Sequence, residues 1–170
     1  YVVLCDIQRP HLDTIKEKGL AITGFLKKTV KCQRVAYSIS ELSKFPAVDI
    51  IFIATKSYIL SRILPEIEKV AQPGTRFVAY QNGLDNEEFI AETFGPDNTL
   101  RTVVNYAGRQ IGDGHISMSF FNPPNYIGAM TAKREALARQ LAGMMTAPTI
   151  SSWSCSRGKA SRICLRGRSD

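Results

Sequence analysis

The sequence predicts an α/β protein: a doubly wound, mostly parallel sheet with an antiparallel extension. Three observations carry that expectation. Asp49-Ile50-Ile51-Phe52-Ile53-Ala54 is a short, nearly unbroken apolar run, the pattern of a strand buried on both faces. Ile59, Leu60, Ile63, Leu64, Ile67 and Val70 then recur at helical spacing. Arg76-Phe77-Val78-Ala79-Tyr80 reads as the next strand, after the turn Gln72-Pro73-Gly74-Thr75. Strand, helix and strand make one βαβ unit. Its two strand ends put Thr55-Lys56-Ser57 and Gln81-Asn82-Gly83 on a single rim, and in open α/β sheets that carboxyl-end rim binds ligands. Pro65 is expected to split or kink the helix, sitting best as the first residue of a second helical turn.

The remaining elements follow in chain order. Tyr1 to Asp6 reads as a strand ending in an acid, followed by a helix from about Pro10 to Lys18 and a stop at Gly19. Gly19 to Ser38 suggests a hairpin leading into an edge strand, with Lys27 and Lys28 solvated near its tip. Ser38 or Ser40 caps a short helix containing Glu41 and Leu42. Leu84 to Phe94 makes an amphipathic helix, and the acids at its start, Asp85, Glu87 and Glu88, suit the helix dipole without needing a function. Thr99 to Tyr106 is a strand. Gly112-Asp113-Gly114 turns into His115 to Phe120, whose alternation is antiparallel in style, with Tyr126-Ile127-Gly128 as a candidate hairpin partner. Thr131 to Met145 is helical, with Leu137, Leu141 and Met144 on one face. Beyond Ala147 the periodicity stops and Ser and Arg dominate: residues 147–170 read as an irregular basic tail, disordered or out of frame.

Composition narrows the classes. A chain of 170 residues is long enough for one domain with a real core. Its 44% hydrophobic and 22% charged residues are those of a soluble globular protein, and no run has the length of a membrane span or the pattern of a signal peptide. The chain opens on Tyr1 inside an apolar run, which reads as a piece of a longer protein. Cys5, Cys32, Cys155 and Cys164 lack metal-ligand spacing, so no metal site is expected, and reduced thiols in a cytoplasmic setting are the default. Of the net charge of +7, the residues from Ser151 onward supply +4, through Arg157, Lys159, Arg162, Arg166 and Arg168 against Asp170. Such a tail can bind polyanions non-specifically, but no motif for specific nucleic-acid reading accompanies it. There is no Ser-His-Asp set or Walker-type loop; His115, alone in a strand pattern, reads as structural, and Trp153 lies in the irregular tail.

Four segments carry a resemblance. ATKSY, YQNGLDNEE, VNYAG and FFNPPNYIG, in this order and spacing, resemble the ketopantoate reductase family, the NADPH-dependent 2-dehydropantoate 2-reductases. The resemblance runs from Tyr1 to Met130. It implies a Rossmann-type domain over residues 1–130, lacking its first strand and its Gly-rich turn, then a helix at 131–146 leading to an absent helical domain. The family's catalytic lysine and substrate-binding glutamate belong to that absent domain, so no catalytic residue is assigned here. Lys56 and Asn82 are expected to meet cofactor and substrate, Gly83 to admit the cofactor's close approach, and Asn105 to line the substrate pocket. Asp6 sits where the ribose of the adenosine would bind, and Arg9 where a 2′-phosphate would; NADP is the expected cofactor, with NAD open because of Asp6. The implied activity is hydride transfer to a small 2-oxo acid, 2-dehydropantoate, giving pantoate for coenzyme A, by an enzyme that is a candidate homodimer at full length. These 170 residues are expected to be inactive alone. The alternatives are another 2-oxo acid or opine-type dehydrogenase, or a non-catalytic fragment with a polyanion-binding tail.

Overall fold

The computed structural model describes residues 1–146 and 153–155, and these fall into two compact units. The first unit comprises 1–46 and 106–122; the second comprises 47–105 and, of the described residues, 123–146 and 153–155. The chain opens in the first unit with β1 (Leu4–Cys5), α1 (Arg9–Lys18), β2 (Leu20–Gly24), β3 (Lys28–Val30) and β4 (Val35–Ala36). It continues in the second with β5 (Ile50–Ile53), α2 (Leu60–Val70), β6 (Arg76–Ala79), α3 (Asn86–Phe94) and β7 (Thr99–Val103). A hairpin of β8 (Tyr106–Gly112) and β9 (His115–Phe121) belongs to the first unit again. The second unit is completed by β10 (Asn125–Ala129), α4 (Glu135–Met145) and β11 (Trp153–Cys155). Among the described residues, no helix is long and apolar enough to cross a membrane.

The second unit holds a mixed sheet in the order β11-β10-β7-β6-β5. β5, β6 and β7 run parallel, and β10 is antiparallel to β7. Successive strand residues point to opposite faces, and β6 uses both. Phe77 stacks on Phe94 of α3 with ring centroids 3.7 Å apart. Its neighbour Val78 joins Leu100, Ile127, Ala138, Leu141 and Ala142, the cluster on which α4 sits. Helices therefore cover both faces, which is why the β6 sequence shows no polar alternation. Parallel pairing of β5 with β6 and of β6 with β7 leaves all three carboxyl ends on one rim. This is the expected α/β sheet, and β10 against β7 is its antiparallel part.

The first unit holds a two-stranded parallel sheet, β1-β4, and a four-stranded sheet in the order β3-β2-β9-β8. Pro10 sits in the first turn of α1, and Gly19, at φ 88°, ends it. Leu12 and Ile15 are its buried face.

Several sequence expectations change. α2 is not split at Pro65 but runs continuously from Leu60 to Val70. A proline removes only one backbone bond from the ladder, and burial of Leu60, Leu64 and Ile67 sustains the helix through it. β5 is not buried on both faces: Phe52 is 41% exposed, because β5 ends the sheet. The partner of β9 is not Tyr126-Ile127-Gly128. β9 pairs antiparallel with β8 and parallel with β2, while β10 lies beside β7 and β11. Thr99 to Tyr106 is accordingly two strands, broken after Val103. Met144 faces outward at 72% exposure, and Ala138 and Ala142 take the buried positions beside Leu141. Ser38 occupies the position before the 3-10 turn Ile39–Lys44, but its hydroxyl bonds the Ser40 hydroxyl rather than capping the turn. Within the tail, Trp153–Cys155 forms a strand parallel to β10; the rest of the irregular-tail expectation lies outside the described residues.

Candidate functional site

The carboxyl-end rim of the second unit is built by the loops that follow β5 and β6 and by β7. After β5 the chain passes Thr55 and Lys56 into a 3-10 turn, Ser57–Ile59. After β6 it passes Gln81-Asn82-Gly83 before α3 begins. Side chains tie the two loops together: Gln81 Nε2 donates to Thr55 Oγ1 at 3.4 Å, and Ser57 Oγ to the Asn82 carbonyl at 3.4 Å. Asn86 Nδ2, from the first turn of α3, donates to the same Asn82 carbonyl at 3.2 Å. Gly83 has φ 116°, and a Cβ there would lie 3.1 Å from Asn86 Nδ2, so the turn requires glycine. Asp85 takes the left-handed conformation at φ 63°, the only positive-φ non-glycine residue among those described.

Beneath this turn lies an ion pair. Arg101, in the middle of β7, donates from Nη1 to Glu87 Oε1 at 2.7 Å and from Nη2 to the Gly83 carbonyl at 2.8 Å. The two side chains are 5% and 9% exposed. The acids at the start of α3 thus divide: Glu87 has a partner in the sheet and is not merely a dipole-compensating acid. Sequence reading passed over the pair. Its signal was a single cation inside the apolar run Thr99 to Val104, with an acid one helical turn into the segment before it.

A cavity of about 140 Å³ opens here, lined by Gln81, Asn82, Gly83, Leu84 and by Arg101 to Val104. Asn82 and Gly83 are in it; Lys56 stands exposed on the neighbouring loop and does not line it. Asn105 follows β7, and its side chain is engaged locally: Nδ2 donates to the Pro124 carbonyl at 2.6 Å, and its backbone N–H to Asn125 Oδ1 at 2.8 Å.

Asp6 and Arg9 belong to the first unit. Asp6 follows β1, and its Oδ1 accepts the Gln8 N–H at 2.9 Å, shaping the entry to α1. The Arg9 guanidinium lies over the Tyr37 ring, 4.8 Å from its centroid, and the Tyr37 hydroxyl donates to Asp13, which raises its pKa. Beside Asp6, desolvation pushes the Cys5 thiol up to about 11, with the Asp6 and Glu41 charges adding, so it offers no thiolate at neutral pH. His115 Nε2 and Thr23 Oγ1 share a hydrogen bond of 2.9 Å between neighbouring strands, a structural contact. Among the described residues, no group of His, Cys, Asp and Glu could hold a metal ion.

Two features of the rim fit a polar ligand. Gln81 is 8% exposed, and its Oε1 has no partner among the described residues. Gly83, held at positive φ, brings no side chain to the lining of the cavity. At about 140 Å³ the cavity is smaller than most ligand pockets, which usually span about 300–1,000 Å³.

Comparison with known proteins extends this geometry. The family described as ketopantoate reductase PanE/ApbA matches residues 1–132. A 2-dehydropantoate 2-reductase of Streptococcus pyogenes is 25% identical over 144 residues, 85% of this chain and 45% of that protein. One from Pyrococcus abyssi is 34% identical over 86 residues, 51% of this chain and 27% of that protein. The chain thus spans less than half the length of these relatives. Among solved structures, D-mandelate dehydrogenase with NADH and anilino(oxo)acetate superposes with a TM-score of 0.74 at 23% identity, over 91% of this chain and 48% of that one. The 2-dehydropantoate 2-reductase of Porphyromonas gingivalis W83 gives 0.72 at 21% identity, over 85% and 50%. The shared fold is the Rossmann-type sheet expected from the sequence, and with three quarters of its length matched by the family, this chain belongs to the ketopantoate reductase family.

Proposed function

We propose that this chain is the cofactor-facing part of an oxidoreductase that reduces a small 2-oxo acid, 2-dehydropantoate, with NADPH. The reading is carried by one observation: the Gln81-Asn82-Gly83 turn, with a buried amide oxygen that has no partner among the described residues, lines a cavity at the carboxyl-end rim of parallel strands. The bound nicotinamide would supply the hydride. Asn82, exposed and able both to donate and to accept, would bind a ribose hydroxyl or the substrate's oxygens. Lys56 would set a compact positive charge against phosphate or carboxylate. Gly83 would let the cofactor approach the backbone. Asn105 would shape the substrate side, with its Oδ1 as the group facing the ligand, since Nδ2 serves Pro124. In the first unit, Asp6 would take adenosine ribose hydroxyls and Arg9 a 2′-phosphate, for which it would exchange its place over Tyr37. Asp6 keeps NADH as the second cofactor, because its charge repels a 2′-phosphate.

We further infer that these 170 residues alone turn over no substrate. β5 has a strand partner on one edge only among the described residues, and the chain covers 45% of its first relative. The deciding experiment follows NADPH and NADH oxidation on adding 2-dehydropantoate, for these residues alone and for the whole polypeptide encoded with them. Turnover by the whole polypeptide, reduced about tenfold or more in kcat/KM by Asn82→Ala, is the expected result. Turnover of other 2-oxo acids in preference to 2-dehydropantoate would reassign the substrate, since a fold does not fix it. No turnover of any 2-oxo acid would overturn the reading.

A further inference from the structure

We infer that Arg101, paired with Glu87, is a positioning residue that holds the Asn82-Gly83 turn in its ligand-binding geometry; this rests on the reading of the rim as a ligand site. The pair is ill suited to a purely stabilising role. Two charges withdrawn from water at the centre of a sheet gain little net stability, and apolar side chains of similar size often do as well. Glu87 Oε2 is buried without a partner among the described residues, which adds to the cost. What the pair does is geometric. Glu87 Oε1 holds one arm of the guanidinium at 2.7 Å, and the other arm holds the Gly83 carbonyl at 2.8 Å. The adjoining Asn82 carbonyl is held from the other side by Asn86 and Ser57. The backbone of the turn is thus fixed from β7, α3 and the loop after β5, while the Asn82 side chain stays exposed. A rigid backbone beneath a free polar side chain is what a binding residue needs. Lysine could not replace arginine here, because two acceptors in different directions need a planar fork.

The test combines stability, motion and binding. The double variant Arg101→Met/Glu87→Leu removes the pair without leaving a lone buried charge, so it should melt close to the wild type. NMR order parameters at Asn82 and Gly83 should nevertheless fall from about 0.85 to below about 0.6. Affinity for NADPH or 2-dehydropantoate should weaken about tenfold. A double variant that melts like the wild type with Asn82 and Gly83 still rigid, or that loosens without losing affinity, overturns the inference. If the double variant does not fold, Arg101→Lys decides: it keeps a cation beside Glu87 but lacks the second arm, so Gly83 should loosen, and a rigid Gly83 is again fatal. Loosening in a protein whose wild type binds neither ligand would leave the clamp standing and remove the functional reading of the rim.

Discussion

The two units bury their strands to different degrees. In the second, β6 and β7 are buried on both faces, and thirteen of the sixteen buried hydrophobic residues among those described lie there. In the first, only Leu12, Ile15 and Ala36 reach that level, and β2, β3, β8 and β9 are half-buried to exposed along most of their length. Apolar burial stabilises by roughly 25 cal/mol per Å², so the hydrophobic contribution is concentrated in the second unit. The first leans on pairing and on aromatic contacts such as Phe25 with Phe121 and Tyr106 with Phe121. The lesson is that the rim lies in the better-packed unit, where a binding geometry can be held rigidly.

The largest expected difference is in stability. Leu100→Ala, in the fully buried cluster, should cost about 2–5 kcal/mol, whereas Ile22→Ala, on half-buried β2, should cost about 1–2 kcal/mol. Urea denaturation of both variants measures this, and equal losses would break the contrast. Cofactor choice gives a smaller effect. Arg9→Ala should weaken NADPH binding about tenfold and leave NADH unchanged, a difference of about 1.4 kcal/mol, while Asp6→Ser should shift preference toward NADPH. Unaltered ratios of NADPH to NADH affinity in both variants would remove the adenosine assignment from the first unit.

The smallest effect separates two carboxylates, one in each unit. Asp97 has its pKa lowered first by the hydrogen bond from Lys133 and then by that from Thr131. Glu41 has its pKa lowered first by the Tyr37 backbone N–H and only then by Lys44. Both pKa values are depressed in the folded state. Each group therefore contributes stability above its ordinary pKa, 3.8 for Asp97 and 4.5 for Glu41, and loses it as the pH falls through the lower folded value. Lys133→Ala, which removes the largest cause, should raise the Asp97 pKa more than Lys44→Ala raises that of Glu41, whose largest cause stays in place. NMR titration of the two variants reads the order, and a larger shift in Glu41 than in Asp97 would reverse it.

What the sequence made legible follows from its physics. The βαβ unit could be read because β5 and β6 are apolar runs closed by turn residues, and a helical period lies between them. The hairpin strand β8 could not, because Tyr106-Ala107-Gly108-Arg109-Gln110-Ile111-Gly112 carries two glycines, is exposed over most of its length, and shifts register twice against β9. Met144 was misplaced because helical periodicity marks several stripes, and the two alanines pack closer than a methionine can. At the rim, Asn82 and Gly83 could be named from the turn sequence. Arg101 was hidden because a strand pattern tells which face a residue occupies, not which acid on a neighbouring helix will meet it.

The parallel pairing of β2 with β9 has a consequence for biosynthesis. Thr23 and His115, bonded side by side across these strands, are 92 positions apart in the chain. At about 5–20 residues per second, the ribosome delivers β9 roughly 5–20 s after β2. Through that interval β2 has only the three-residue β3 beside it, and its other edge is an open template for foreign strands. The second unit's β5, β6 and β7 emerge without such a gap. Nascent chains halted between residues 105 and 115 should accordingly be the species that chaperones bind most, with β2 as the bound segment.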